Sequence, residues 1–328
     1  MRVTSWSIEQ RHMFSAALRS GEPIELVLSD LERRGKRARR NLRVDEVAPL
    51  ADVISIADPV LRASAEAYLA PPAVVNRDDR VTAVIPSNRK MLLGLQALHK
   101  QDVCVDVLVL SNGDGPHELD DARVVRVPWK GHGSTRAEAI NHVQSDYVFF
   151  TVDDAIPLGR GCIRTLIDAL ELGGWDAVIA RQIPWPHADA ITASRLRQWT
   201  PPGEQVVPTM QTDHVATLMR TSTLLAHPIP DVPIAEDAWW SRERNIGYVP
   251  MAPVLHSHER SPRSLFDRNR AIHAQLVAMG HPATIPNFGA LVRALPAVVR
   301  PTLAGGSGEF LNQLAELSGQ WWGSVKGN

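Results

Sequence analysis

This chain has little of what marks secreted or membrane-spanning proteins. Its two cysteines, Cys104 and Cys162, are too few for a disulfide framework. Both stand in apolar segments, so we expect buried free thiols in a reducing cytoplasm. No apolar run approaches the ~20 residues that span a bilayer. Polar sequence follows Met1–Trp6 where a signal peptide would be apolar. We therefore expect a soluble, cytoplasmic protein that meets any membrane only peripherally.

An excess of charge of either sign is also missing. The chain has 35 basic and 36 acidic residues, so its composition favours no nucleic-acid partner. Arginine greatly outnumbers lysine and alanine is abundant, which hints at a GC-rich bacterial genome. These observations exclude classes of protein rather than indicate one.

What the sequence does contain is a change of periodicity near residue 80. Apolar positions recur at helical spacing over residues 1–75, which predicts a helical accessory segment. From there to residue 275, short β-rich runs alternate with helical stripes, the pattern of a mostly parallel sheet flanked by helices. Residues 276–328 are predicted to form a C-terminal extension with a helical tail. The predicted fold class is therefore α/β, with helical additions at both ends.

The predicted elements alternate along this central domain. Thr135 and Glu138 fit a capping box that opens a helix to about Val143. After Arg181 clear periodicity is lost, which predicts loops and short strands around a substrate. The predicted strands are Val81–Ile85, Val103–Leu110, Arg123–Val127, Tyr147–Val152 and Ala177–Ala180, and the other helices are Lys90–His99 and Cys162–Leu172.

The most informative stretch of the chain ends a predicted buried strand in two acids, Asp153 and Asp154. In open α/β sheets, ligands bind beyond the carboxyl ends of the strands. Adjacent carboxylates repel each other unless a cation or a proton intervenes, so a hard divalent metal that carries substrate phosphates suits this pair. A solvated Asp-Asp turn before Pro157 is the alternative.

Polar residues also follow two other predicted strands. Pro86, Ser87 and Asn88 end the first strand, and Asn112 and Asp114 lie in the glycine-containing turn after the second. Beside helix N-termini, such groups can receive the base, ribose or phosphate of a nucleotide. Either turn taken alone also fits an ordinary loop.

Two further motifs lie downstream. Glu236 and Asp237 open a predicted helix, where acids serve either as partners of the helix dipole or as a general base. His256 and His258 alternate, so within a strand they would face the same side, as paired metal ligands do.

Taken together, these segments resemble family-two glycosyltransferases of the GT-A fold, and more narrowly their rhamnosyltransferase-like branch. The resemblance covers roughly residues 80–275. It implies a Rossmann-like sheet, with a nucleotide-sugar-binding half at 80–182 and an acceptor and catalytic half at 183–275. The motifs occur in the family's order: Val84–Asn88, Gly133–Arg136, Phe149–Pro157, Ala180–Pro184, Glu236–Trp240 and Tyr248–His258.

The resemblance implies a role for each motif. Asp154 matches a metal-binding aspartate, with Asp153 beside it near ribose or metal. Asp237 matches the catalytic base of a Glu-Asp motif. His258, or alternatively His256, matches a late histidine that reaches the metal or the diphosphate. Arginine and glutamine positions around the donor or acceptor match as well: Arg136 near the diphosphate, and Arg181 with Gln182 at the back of the pocket.

The implied function is inverting transfer of a deoxyhexose or hexose from a dTDP-, UDP- or GDP-linked donor to an acceptor hydroxyl, with Mg²⁺ or Mn²⁺ as cofactor. The acceptor would be a glycan, a lipid or a secondary metabolite. Trp239 and Trp240 either stack on a sugar ring or pack in the core. Trp321 and Trp322 would dock the tail onto the body or onto a second subunit of a homo-oligomer.

Two residues depart from the family's pattern, and three other functions stay open. Ala137 replaces an asparagine, and Asn112 replaces the aspartate that many relatives place near the base, so the choice of nucleotide is undecided. A non-catalytic nucleotide-sugar-binding protein would need no base at Asp237. A sugar nucleotidyltransferase would need a glycine-rich loop after the first strand, which is missing here. A zinc hydrolase would need a metalloprotease-type helix motif.

Overall fold

The computed structural model describes residues 25–26, 48–49, 79–89, 92–184, 192, 196, 198–210, 212–256, 261–280 and 307–326. Within the accessory segment, the described residues are two short strands, β1 (Glu25–Leu26) and β2 (Ala48–Pro49), which pair antiparallel. The rest of the helical segment predicted over residues 1–75 lies outside the described residues, as does His258.

A nine-stranded sheet forms the centre of the protein. Its strands follow the order β5-β4-β3-β6-β10-β8-β11-β7, and β9 pairs with β11. The strands are β3 (Arg80–Ser87), β4 (Cys104–Ser111), β5 (Arg123–Arg126), β6 (Tyr147–Thr151), β7 (Ile156–Pro157), β8 (Ala177–Ile183), β9 (Val207–Thr209), β10 (Ala216–Arg220) and β11 (Ile246–Leu255).

Seven α-helices and two short 3-10 helices, Glu138–Asn141 and Ser241–Glu243, accompany these strands in the described part of the chain. The α-helices are α1 (Leu95–His99), α2 (His132–Ala137), α3 (Cys162–Gly173), α4 (Thr221–Ala226), α5 (Glu236–Trp240), α6 (Pro262–Ala278) and α7 (Ser307–Lys326). The last of these is the predicted helical tail. It packs closely on α6, because a Cβ on Gly319 would lie only 2.4 Å from the Phe266 carbonyl oxygen. None of the described helices is both long and apolar enough to cross a membrane.

The sheet is buried on both faces, as successive side chains of a strand point to opposite sides. Ala83 and Phe149 belong to one apolar cluster, which includes the inner side of α3. Val84 and Phe150 belong to a second cluster. The predicted α/β fold with a central sheet flanked by helices is confirmed.

Strand direction decides which residues meet at each end of the sheet. β10 is antiparallel to both β6 and β8, so β6 and β8 run the same way. β3, β4 and β5 are parallel to this direction, and so is β11. The carboxyl ends of these strands therefore meet at one end of the sheet, here called the carboxyl edge, and the residues before β10 reach it too. We call the opposite end the amino edge. The sheet is thus mixed, because β10 reverses direction at its centre and the short strands β7 and β9 also run antiparallel to β11.

Some local expectations differ from the structure. The predicted capping box is wrong, because α2 begins at His132 and the Thr135 hydroxyl inside it donates to the Gly131 carbonyl at 2.8 Å. Cys162 is buried as expected, whereas Cys104 is exposed at the start of β4. β11 is a ten-residue strand in the region where loops and short strands were expected.

Candidate functional site

The acidic pair lies just beyond β6, at the carboxyl edge. Arg89 Nη1 is 3.5 Å from Asp153 Oδ1 and 3.2 Å from Asp154 Oδ2. The Ser87 hydroxyl, at the end of β3, donates to Asp153 Oδ2 at 2.9 Å. The Asp153 and Asp154 side chains are 13% and 6% exposed, whereas that of Arg89 is 53% exposed. A solvent-facing arginine therefore covers two largely buried carboxylates.

The electrostatics of this pair favour a bound cation. Burial and, after it, the charge of Asp154 raise the pKa of Asp153 to about 6, although Arg89 and the Ser87 hydroxyl act in the opposite direction. A second positive charge would lower the cost of keeping both acids ionised. The arrangement thus suits a cation in addition to Arg89, or in its place.

His256 joins the acidic pair from the other half of the sheet. Leu255 lies opposite Ile183 in the parallel pairing of β11 and β8, and the His256 N–H donates to the Ile183 carbonyl at 2.8 Å. Its imidazole Nε2 then lies 3.6 Å from Asp154 Oδ1, with both side chains no more than 6% exposed. His256 follows the last residue of the strand, so the expected alternation of two histidines within a strand is not what positions it.

A chain of hydrogen bonds continues from this imidazole. His256 Nδ1 is 2.9 Å from Gln182 Oε1, and Gln182 Nε2 donates to Asp213 Oδ2 at 2.8 Å. The Val215 backbone N–H donates to Asp213 Oδ1 at 2.9 Å. Asp213 precedes β10, and the reversed direction of that strand brings its carboxylate to the carboxyl edge.

The Glu-Asp motif begins α5 after a strained residue. Ala235 is buried and has a φ of 63°, a left-handed conformation that is uncommon outside glycine, asparagine and aspartate. Glu236 is 2% exposed, and Arg136 Nη1 donates to its Oε1 at 2.5 Å. Asp237 Oδ1 accepts the Ala238 N–H at 2.8 Å. The turn thus buries one acid against an arginine and orients the next.

Gly133 allows the two segments of this motif to approach each other. A Cβ at this position would lie 2.3 Å from the Val232 carbonyl oxygen and 2.8 Å from Glu236 Cβ. The neighbouring Ser134 N–H donates to the same carbonyl at 2.9 Å. Only glycine fits here, and its absence of a side chain lets α2 bring Arg136 to Glu236.

Asp237 has the properties of a group that exchanges protons near neutral pH. Burial, together with the charges of Glu236 and Asp213, raises the pKa of Asp237 to about 7, although Arg136 opposes the shift. A carboxyl group with a pKa near the working pH is suited to general acid–base chemistry.

A buried histidine lies near Arg136, the partner of Glu236. The ring of His214 packs against Phe150 and Trp240, with centroid separations of 5.1 and 6.4 Å. Burial, aided by the charge of Arg136, holds the pKa of His214 well below its usual range. Trp240 is 5% exposed and its Nε1 donates to the His227 carbonyl at 2.7 Å, so this tryptophan packs in the core.

The remaining predicted positions are distributed around the carboxyl edge. Asn112 is buried after β4, and its N–H donates to the Ser87 carbonyl at 3.0 Å. Arg126 holds the following turn through the Gly113 and Gly115 carbonyls at 2.9 and 3.2 Å. Pro86 is part of β3, Asn88 and Asp114 are exposed, Arg181 is buried in β8, and Trp239 is 37% exposed with Arg242 over its ring.

Three contributors to the site were not assigned from the sequence. Arg89 was visible as part of the first-strand motif, but nothing in its spacing indicated that it would reach the acidic pair. Asp213 and His214 precede a strand that was not predicted. The short, mostly apolar run Val215–Met219 was the available signal for that strand.

The site fits a divalent cation that is shared with a ligand. Among the described residues, no three His, Cys, Asp or Glu side chains converge to hold an ion by themselves. Mg²⁺ is commonly bound through one or two carboxylates together with substrate phosphates. Asp154 and His256 could serve in this way. Two atoms that each lie about 2.1 Å from one ion are at most roughly 4.2 Å apart, and Asp154 Oδ1 and His256 Nε2 are separated by 3.6 Å.

The amino edge carries a different kind of opening. A cavity of about 480 Å³ there is lined by residues that include Arg80, Asp106 and Arg123. Arg80 pairs with Asp106 at 3.3 Å, and both side chains are more than half exposed. The acid-rich cluster therefore lies at the opposite end of the sheet from this cavity.

No family model matches the chain, and no curated protein matches it. Among solved structures, S. aureus TarS 1–349 has 14% identity and a TM-score of 0.43, covering 60% of this chain and 65% of that one. The structure of TarS 1–349 in complex with UDP-GlcNAc has 13% identity and a TM-score of 0.40, covering 60% of this chain and 66% of that one. GalNAc-T7 with UDP, GalNAc and Mn²⁺ has 7% identity and a TM-score of 0.44, covering 55% of this chain and 43% of that one. This chain thus spans less than two thirds of each of these chains.

Proposed function

We propose that this protein is a glycosyltransferase that moves a sugar from a nucleoside-diphosphate donor to an acceptor hydroxyl, with inversion at the anomeric carbon. One observation carries the proposal. Contacts at the carboxyl edge connect a cation-attracting acidic pair, through His256 and Gln182, to Asp213, whose charge in turn raises the pKa of Asp237. These contacts support the proposal because they link a candidate diphosphate site to a candidate base.

In this mechanism each acidic group has a separate task. Asp154 and His256 would hold Mg²⁺ or Mn²⁺, which supplies charge neutralisation at the leaving diphosphate. Arg89 adds positive charge on the solvent side of Asp153 and Asp154. The Ser87 hydroxyl holds Asp153 in position from the end of β3.

Asp237 would accept the proton of the acceptor hydroxyl. As the acceptor oxygen bonds to the anomeric carbon, the bond from that carbon to the diphosphate oxygen breaks, and the proton passes to the Asp237 carboxylate. The Ala238 N–H holds Oδ1, which leaves Oδ2 as the proton acceptor. Arg136 pairs with Glu236 beside it, and the charge of Glu236 contributes to the raised pKa of Asp237.

Ligand-dependent thermal stability tests the donor site. We expect one nucleoside diphosphate among dTDP, UDP and GDP, or its sugar conjugate, to raise Tm in the presence of Mn²⁺. A ligand at about 100 times its Kd stabilises the folded state by about 2.7 kcal/mol. The Asp154→Asn variant should lose the Mn²⁺-dependent part of the shift, whereas Asp106→Asn at the amino edge should keep it. The absence of any response to these nucleotides, with and without metal, would overturn the proposal.

A further inference from the structure

Asp213 belongs to none of the motifs described above, yet it ends the chain of hydrogen bonds that leads to His256. We propose that Asp213, acting through Gln182, fixes the proton of the neutral His256 imidazole on Nδ1. The Nε2 lone pair is thereby directed towards Asp154 and a divalent cation. Asp213 is thus a positioning residue. The binding of a cation here rests on the proposed function, whereas the assignment of the His256 tautomer does not.

The first step is the direction of the Gln182 amide. An ionised carboxylate only accepts hydrogen bonds. Asp213 Oδ1 already receives the Val215 N–H at 2.9 Å, and Oδ2 lies 2.8 Å from Gln182. The group that faces Oδ2 must therefore be a donor. This requirement orients the amide with its NH₂ towards Asp213 and its oxygen towards His256.

The second step is the position of the imidazole proton. Gln182 Oε1 lies 2.9 Å from His256 Nδ1, and an amide oxygen can only accept. Nδ1 therefore carries the hydrogen. A neutral imidazole has a single N–H, so Nε2 holds a lone pair, and this nitrogen lies 3.6 Å from Asp154 Oδ1.

The third step is what an Nε2 lone pair can do beside a carboxylate. Two electron-rich atoms in a buried place attract a cation, and both ligating atoms here face each other in the interior. Metal-binding histidines usually donate their other N–H to an acceptor that sets the ring's orientation and tautomer. Gln182 is 5% exposed, so a protein group rather than bulk water supplies that acceptor.

The Val215 N–H makes the proposal testable by one substitution. In Asp213→Asn, the side-chain oxygen stays with this backbone donor, so the new NH₂ faces Gln182. The glutamine amide must then turn over to accept from it, and its NH₂ points at His256 Nδ1. Nδ1 becomes an acceptor, and the proton moves to Nε2.

A second substitution restores the original directions. With Gln182→Glu added to Asp213→Asn, the glutamate accepts from Asn at position 213 through one oxygen and from His256 Nδ1–H through the other. The double variant has the same net charge as the wild type, but the negative charge lies at position 182 instead of position 213. It therefore separates hydrogen-bond direction from loss of charge.

The experiment records ¹⁵N spectra of histidine-labelled, metal-free protein at about pH 8.5, where an imidazole of ordinary pKa is neutral. The His256 signals are assigned by their loss in His256→Gln. We expect a protonated Nδ1 in the wild type, a protonated Nε2 in Asp213→Asn and a protonated Nδ1 again in the double variant. Mn²⁺ affinity, measured by titration, should fall by about tenfold to a hundredfold in Asp213→Asn and recover in the double variant.

Each outcome decides the matter. A wild-type His256 protonated on Nε2, or a tautomer that Asp213→Asn leaves unchanged, overturns the proposal. If Asp213→Asn does not fold, the comparison of the wild type with the double variant still requires Nδ1–H in both. The tautomer shift without nucleotide-dependent stabilisation would support the role of Asp213 and contradict the glycosyltransferase proposal, so the two failures are distinguishable.

Discussion

The two edges of the central sheet each carry an arginine–carboxylate pair, and the pairs differ in what surrounds them. At the amino edge, the Arg80 and Asp106 side chains are 64% and 59% exposed. At the carboxyl edge, the Arg136 and Glu236 side chains are 8% and 3% exposed. Solvent screens the first pair, so it contributes little to stability. The second pair has lost its hydration, and such pairs are weak evidence for stability in themselves.

The difference indicates that charged side chains are held in fixed positions at the carboxyl edge even though their burial costs free energy. Besides this buried pair, the carboxyl edge has the left-handed Ala235 and the two desolvated acids of the β6 loop. Strain and desolvated charge of this kind cluster at functional sites. Variants at matched positions of the two edges can therefore test whether the contrast has functional meaning.

The largest expected effect is the loss of transfer in Asp237→Asn. An amide cannot take the acceptor's proton, and a positioned general base typically contributes about 10²- to 10⁴-fold in rate. The measurement is sugar transfer at saturating donor, with Tm as the check on folding. Asp106→Asn at the amino edge should transfer at the wild-type rate. Asp237→Asn activity within about twofold of wild type would show that the base lies elsewhere.

The next largest effect is on stability. Arg136→Met leaves Glu236 buried without its partner, and breaking a buried pair in this way costs about 3–5 kcal/mol. Arg80→Met, at the exposed pair, should cost no more than about 1 kcal/mol. Denaturant unfolding measures both. Adding Glu236→Gln to Arg136→Met should recover part of the loss, and equal effects at the two edges would contradict the assigned contrast.

A smaller effect is expected from Gly133→Ala. The added Cβ would overlap the Val232 carbonyl and press on Glu236, and overpacking of this kind costs about 1–3 kcal/mol. Gly161→Ala is the control, because its Cβ would have its nearest neighbour at 3.8 Å. It should change stability by about 0.5 kcal/mol or less. If Gly133→Ala and Gly161→Ala had the same free energy of unfolding, α2 and α5 would be able to move apart without loss of stability.

The smallest effect concerns pH. With the pKa of Asp237 raised to about 7 by burial and by its acidic neighbours, the active carboxylate form increases as pH rises. The rate should therefore climb to a plateau above pH 7 and fall about tenfold between the plateau and pH 6. Removing the Asp213 charge lowers this pKa, so Asp213→Asn should move the profile to lower pH. A profile that stays in place would exclude this coupling.

The same pKa affects stability with a definite sign. The folded state holds a proton on Asp237 that the unfolded state loses near its ordinary pKa of about 3.9. The native state is thus progressively destabilised as pH rises from about 4 to about 7. Thermal unfolding of the wild type and Asp237→Asn across this range should diverge with rising pH, in favour of the variant, and then run parallel.

Local patterns were enough to predict the first half of the sheet. Strands such as Tyr147–Thr151 show as short apolar runs that end in polar residues, because burial on both faces requires that composition. The acidic pair and the Glu-Asp motif were visible for the same reason. Each is an abrupt change from apolar to charged sequence.

The rest of the site depends on pairing between distant segments, which local patterns do not encode. Asp213 reaches the site because β10 runs against β6 and β8, and its five residues are too short for a clear alternation. Arg89 finds the acidic pair through a contact 65 residues away in sequence. Thr135 satisfied a capping pattern, yet the helix begins earlier, at His132, and Thr135 lies inside it.

The strand order has a consequence for how the chain must fold. Along β6-β10-β8-β11-β7, strands from before residue 183 alternate with strands from after it. A chain cut at that point would leave β6 and β8 without the strand that joins them, and two apolar strands would offer open edges to other molecules. During synthesis, the sheet therefore stays divided until β10 has emerged, and in this interval the open edges of β6 and β8 favour aggregation.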